Sequence, residues 1–339
     1  MAQKGKEGRA LHSFSDIYGN ALLLRHLQQA VAAGRVSHAY LLTGSTGSGK
    51  RLIADTFAKT LQCEAGGTEP CGHCKSCSAF DSGNHPDIVY VRPTKKTLGV
   101  DDVREQILED VSLKQYRYRY KIYIVEQADT MTVQAQNALL KTLEEPPAYA
   151  VFLLLAENQT AFLPTILSRT VTLHIRPLPD TMVADYLEKK KGLSPADSAV
   201  YAAYAQGSIG QALDLLEDES FQQMRQEILE KLMALPQAKK GEVFLWAKDL
   251  EKYKDDLRFL DMMQLWYRDL LYAKRLHSEK DLIQKDKKAE IFRSAVESEG
   301  ELARKAALIQ RARVQLARNA NFRLTMEVML LQLKENQTV

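Results

Sequence analysis

Cysteine is scarce in this chain of 339 residues: there are four, all between positions 63 and 77. Thiols confined to one short stretch exclude a distributed disulfide framework and make the reducing cytoplasm the default location. Long apolar runs are missing too, none approaching the roughly 20 residues of a membrane span. The opening Met1-Ala2-Gln3-Lys4-Gly5-Lys6-Glu7-Gly8-Arg9 has no signal-peptide character and reads as disordered. Net charge is nearly absent, +3 from 46 Lys and Arg against 43 Asp and Glu, which argues against an autonomous nucleic-acid-binding module with a basic face. There is no internal repeat and no low-complexity segment. What remains is an ordinary soluble composition, 45% hydrophobic and 26% charged, at a length that suits two or three domains.

Short apolar runs rich in β-formers recur at 38–43, 87–91, 121–125, 150–155 and 171–175. Helical patterns at 52–61, 100–111 and 132–143 separate most of them. Near-continuous apolar strands alternating with helices imply a parallel sheet covered on both faces. This α/β domain is expected over 1–176, ending near Arg176-Pro177-Leu178-Pro179, whose prolines suit a linker. A small helical domain is expected over 177–218, with turns at 189–192 and 205–208. A larger helical domain is expected over 219–339, with breaks near Pro236 and His277-Ser278. Its closing stretch, 306–333, reads as amphipathic, with apolar Leu316, Phe322, Leu324, Met326, Val328, Met329 and Leu330. The alternating Tyr116-Arg117-Tyr118-Arg119-Tyr120 is read as a strand edge in preference to a nucleic-acid-binding stripe.

Gly44-Ser45-Thr46-Gly47-Ser48-Gly49-Lys50 lies after a strand and before a helix, the context in which such a run cradles phosphates with backbone N–H groups and a lysine. The next residue normally offers a hydroxyl to Mg²⁺, but here it is Arg51, a bulky cation where a cation should bind. The strand 121–125 runs into Glu126-Gln127, where an active ATPase of this type shows Asp-Glu. Gln127 cannot accept a proton from an attacking water. Two independent losses point to a nucleotide-binding fold without hydrolysis. Gly44, Gly47, Gly49, Lys50 and Arg51 form a degenerate phosphate loop and Glu126 and Gln127 a degenerate metal motif, so ATP binding itself is in doubt.

Cys63, Cys71, Cys74 and Cys77 offer four thiolates with two gaps of two residues, a spacing suited to a closed, structural Zn²⁺ site. Four unrelated buried cysteines, an iron–sulfur cluster, or His73 replacing one sulfur are the weaker alternatives. Arg169, in Leu167-Ser168-Arg169-Thr170, reads on chemistry alone as a solvated loop arginine.

The stretch Asn137-Ala138-Leu139-Leu140-Lys141-Thr142-Leu143-Glu144-Glu145-Pro146-Pro147 resembles a signature of the bacterial clamp-loader subunits, a family of AAA+ type. So do His38–Gly44 and Leu163–Arg169, and the four-cysteine insert (63–77) sits where that family has its zinc module. The likeness covers about 14–176 and continues more loosely to the C-terminal helices. It implies an AAA+ domain with zinc module, a helical lid and a helical collar that oligomerises. It also implies gamma/tau and delta subunits, the sliding clamp and primed DNA as partners. Arg51, Glu126 and Gln127 depart from the ATPase subunit, and Gly210 stands where that subunit has an arginine sensing the γ-phosphate. The resemblance is therefore to the non-hydrolysing member of the ring. Arg169 matches the family's Ser-Arg-Cys arginine, which reaches a neighbour's ATP, with Thr170 in place of Cys. Two alternatives stand: an active gamma/tau-type ATPase, and a zinc-dependent nucleic-acid-binding protein.

Overall fold

The five apolar runs become five strands in a computed structural model that describes residues 12–276 and 282–335. The opening 1–9 and the break expected at His277-Ser278 lie outside the described residues. The described chain divides into two compact units: one runs to Met182 and includes Ser208–Gln211, the other comprises Val183–Gly207 and everything from Ala212 on.

In the first unit, α1 (Ala21–Ala32) leads to β1 (Ala39–Thr43), α2 (Lys50–Gln62), α3 (Lys75–Asp81) and β2 (Ile88–Val91). A helical run follows as α4 (Val100–Val103), a π-helical turn at Arg104–Leu108, and α5 (Glu109–Val111). Then come β3 (Lys121–Val125), α6 (Val133–Glu144), β4 (Ala150–Ala156), α7 (Pro164–Leu167) and β5 (Val171–His174). All pairings are parallel, in the order β2-β3-β4-β1-β5. Side chains alternate across a strand, and both faces are apolar here. Leu41, Tyr123, Val125, Phe152 and Leu154 pack with α6, while Tyr40, Leu42, Ile122, Ile124 and Leu153 pack with α1 and α2. The three central strands are buried throughout, as a sheet covered on both sides requires.

Residues 116–120 form an irregular turn rather than a strand edge. The buried Asp87 carboxylate accepts the backbone N–H groups of Tyr116, Arg117 (2.9 Å) and Tyr118 (2.9 Å), satisfying donors that a ladder would otherwise take. Three bonds to one buried carboxylate outweigh the alternation of the local sequence.

The second unit is helical among its described residues. It contains most of α8 (Asp180–Lys191), then α9 (Pro195–Tyr204), most of α10 (Ile209–Glu217), and α11 (Glu219–Ala234). These are followed by α12 (Lys240–Asp249), α13 (Arg258–Leu276), α14 (Lys288–Ser294), α15 (Glu299–Ala317) and α16 (Phe322–Lys334). One core runs through it around Phe221, Phe259, Met262, Trp266, Ile309 and Met326. The amphipathic stretch 306–333 is two helices, not one. Asn319 takes a left-handed φ of 60°, and the Asn321 side chain caps α16 by accepting from Leu324 N–H at 2.9 Å. With the register reset there, Met326, Met329 and Leu330 are buried while Leu324 and Val328 are exposed.

Candidate functional site

The phosphate loop is built from β1 to α2. Gly47 (φ 70°) and Gly49 (φ 90°) take left-handed conformations that a side chain would strain, and Gly49 caps α2 so that Lys50 opens the helix. The Lys50 ammonium turns back on its own loop, donating to the carbonyls of Gly44 (2.7 Å) and Ser45 (2.9 Å). Burial pulls its pKa below the usual lysine value, while the Glu157 and Asp129 carboxylates pull the other way. Thr46 donates to Glu157 at 2.5 Å, bringing a carboxylate to the loop's outer edge.

Arg51 occupies the middle of an ion network. Its guanidinium pairs with Glu126, donates to Asp55 at 2.7 Å, and lies 4.2 Å from the centre of the Tyr90 ring. Arg92 closes the other side of Glu126 with bonds of 3.1 and 3.2 Å. Burial pushes the Asp55 carboxyl above its usual range and Arg51 draws it back; burial also raises the Tyr90 hydroxyl to about 12. Glu126, the residue able to approach a metal, thus spends its carboxylate on two guanidinium groups. Gln127 is exposed and sits in the left-handed region at φ 49°.

Ser208–Gln211 rest on the same loop. Gly210 N–H donates to the Gly47 carbonyl at 3.0 Å, and Ser208 Oγ donates to the Thr46 carbonyl at 3.1 Å. A Cβ on Gly210 would stand 2.6 Å from both Cα and O of Gly47, and one on Gly47 would stand 2.6 Å from Ser208 Oγ. Two backbones meet here with no room for a side chain between them. Gly210 is part of that closure.

The four cysteine sulfurs lie within 4.8 Å of one another, and Cys71 and Cys77 Sγ are 4.0 Å apart. Four sulfurs at about 2.3 Å from a tetrahedral ion stand about 3.8 Å apart, so the set fits such an ion after small rotations. Backbone N–H groups of Cys71, Cys74 and Cys77 point at the sulfurs of Cys63, Cys71 and Cys74 at 3.3–3.4 Å, a supply of donors that favours thiolates. The His73 backbone draws the Cys71 thiol down to about 6, and burial raises that of Cys77. The His73 ring is exposed and bonded to the Cys71 carbonyl, outside the cluster. Buried Lys59 on α2 pairs with Asp81 on α3 at 2.6 Å, tying this module to the phosphate-loop helix.

Arg169 follows α7. Its guanidinium meets Glu144, the last residue of α6, at 2.8 Å and is one-third exposed. The phosphate loop, Glu126 and Ser208–Gln211 therefore form one cluster, whereas the cysteines and Arg169 occupy separate places in the same unit. Sequence reasoning missed Asp55, Tyr90, Arg92, Glu144 and Ser208. Only Asp55 carried a readable signal, four residues after Arg51 on one helix face.

A family model described as DNA polymerase III, delta subunit, matches residues 19–179. The chain is 32% identical to DNA polymerase III subunit delta' of Bacillus subtilis, over 92% of this chain and 95% of that protein. It is 36% identical to DNA polymerase III subunit tau/gamma of Haemophilus influenzae, over 60% of this chain but only 30% of that longer protein. A solved structure, a DNA polymerase III gamma subunit-related protein of Thermotoga maritima, aligns with 92% of this chain and 98% of its own, at 21% identity and TM-score 0.45. Because the identity to the Bacillus protein runs almost end to end through both chains, this chain belongs to the delta-prime family of DNA polymerase III clamp-loader subunits.

Proposed function

We propose that this chain is the non-hydrolysing member of a hetero-oligomeric clamp-loader ring, working beside gamma/tau and delta subunits to place a sliding clamp on primed DNA. The observation that carries the reading is the ion pair of Arg51 with Glu126: a guanidinium stands where a catalytic metal would be held. Lys50 bonded to loop carbonyls supports the same reading, because its ammonium would have to turn from them to meet nucleotide phosphates. The gamma/tau-type alternative is disfavoured on the same grounds.

The chain then contributes to turnover elsewhere. Arg169, one-third exposed on a turn, is the residue proposed to stabilise charge on the terminal phosphate of a neighbour's ATP, a role for which its planar fork is suited. Cys63, Cys71, Cys74 and Cys77 are proposed to hold a structural zinc ion that fixes the module against α2. The organisation proposed is an AAA+ domain over 1–176, a lid over 177–218 and a collar over 219–339. No helix among the described residues is long and apolar enough to cross a membrane, and a cytoplasmic location is proposed from the replication role.

Arg169→Ala tests the central step. In a complex reconstituted with partner subunits, assembly should survive while clamp- and DNA-stimulated ATPase and clamp loading fall partially, one interface among several being affected. Arg169→Lys should rescue poorly, since it keeps the charge but not the fork. Unchanged ATPase and loading would return Arg169 to a solvated loop residue.

A further inference from the structure

The guanidinium proposed to reach a neighbouring subunit already has an anion. Arg169 Nη2 lies 2.8 Å from Glu144 Oε1, while Nη1 donates to the Thr165 carbonyl (3.0 Å) and Ser168 Oγ (3.2 Å). The pair sits in a shallow recess of about 690 Å³ also lined by His38, Leu143, Glu145 and Val171. The two charged side chains are 33% and 49% exposed, so the pair can open without uncovering buried charge.

Position adds a second observation. Glu144 is the last residue of α6 and Glu145 follows it, so two carboxylates stand at the negative end of a helix dipole, where acidic residues are disfavoured. An acidic side chain there gains from a nearby cation, and Arg169 supplies one to Glu144.

We propose that Glu144 is a positioning residue that holds Arg169 at rest and yields it to the terminal phosphate of a neighbour's ATP. This rests on the arginine-finger reading above. The carboxylate and the phosphate accept from the same face of the same fork, so they compete for it. While Glu144 holds the fork, the arginine stays ordered, which lowers the loss of side-chain freedom when the phosphate arrives. Bound ATP delivers a greater negative charge and more acceptor oxygens than one carboxylate, so exchange is favoured only where nucleotide is present.

Glu144→Gln keeps an acceptor oxygen and removes the charge. In the reconstituted complex it should lower the apparent KM for ATP by about 1.5- to 5-fold at the site served, the range into which an exposed ion pair converts. The kcat should hold. In an Arg169→Ala background the same substitution should change nothing. A Glu144→Gln complex with the parental KM, or a KM shift that persists without Arg169, overturns the proposal; a merely structural role would move the melting temperature and leave KM alone. Should Arg169→Ala by itself leave kcat and loading intact, the finger reading fails first and Glu144 loses its role with it.

Discussion

Arg51→Thr restores the hydroxyl that a metal-using loop carries after its lysine, and its outcome separates a repaired enzyme from a damaged scaffold. Three contacts are lost: the pairs with Asp55 and Glu126 and the stacking on Tyr90. Glu126 keeps Arg92, but the Asp55 side chain, 10% exposed, keeps only the Tyr90 hydroxyl at 3.2 Å. Leaving a buried polar group underpaired costs roughly 1–3 kcal/mol. With the arginine itself 40% exposed, solvent screening places the loss in the lower half of that range, about 1–2 kcal/mol. For a unit of this size that lowers Tm by about 2–8 °C. The pH dependence has a definite sign. Burial already raises the folded pKa of Asp55 and Arg51 opposes the rise, so removing Arg51 raises it further. The extra destabilisation is therefore full at neutral pH and fades as pH falls through that raised value and Asp55 takes a proton in both proteins. Urea unfolding at two pH values measures it, with Arg51→Thr/Asp55→Asn expected to recover part of the loss. A variant as stable as its parent, or one that turns over ATP alone, would refute the reasoning.

Purified, reduced protein should carry about one zinc per chain, and Cys74→Ser should lower metal content and destabilise the first unit; a fully folded, metal-free parent would end the zinc reading. Gly210→Ala should destabilise by about 1–3 kcal/mol because its Cβ overlaps the Gly47 backbone. Gly241→Ala, in α12 with nothing within 4 Å of the added carbon, should stabilise by about 0.5–1 kcal/mol. Thermal unfolding of both variants checks the contrast.

Much of the first unit was legible because period and punctuation agree there: buried β-branched runs, a glycine loop between strand and helix, and four clustered cysteines all announce themselves locally. The turn at 116–120 was not, since its alternating tyrosines suit a strand and the decisive acceptor, Asp87, lies about thirty residues earlier. The break between α15 and α16 was missed because Asn319 and Asn321 interrupt an apolar pattern whose composition barely changes. At the site, Arg51 and Gln127 stood out as departures from expected chemistry, which one position can show. Their consequence required contacts: Arg51 reaching Glu126 on β3's edge, and Gly210 reaching Gly47 across 163 residues of chain. Glu144 stood inside the Asn137–Pro147 signature, but its pairing with Arg169 was not legible, because the two residues lie 25 positions apart in sequence.

The most direct measurement combines the purified chain with gamma/tau and delta subunits, sliding clamp and primed DNA, and follows ATP hydrolysis and clamp loading with each component omitted in turn. The account predicts no turnover by this chain alone, full stimulated turnover and loading with all components, and loss of loading when this chain is left out. Robust hydrolysis by the isolated chain, or undiminished loading in its absence, would contradict it.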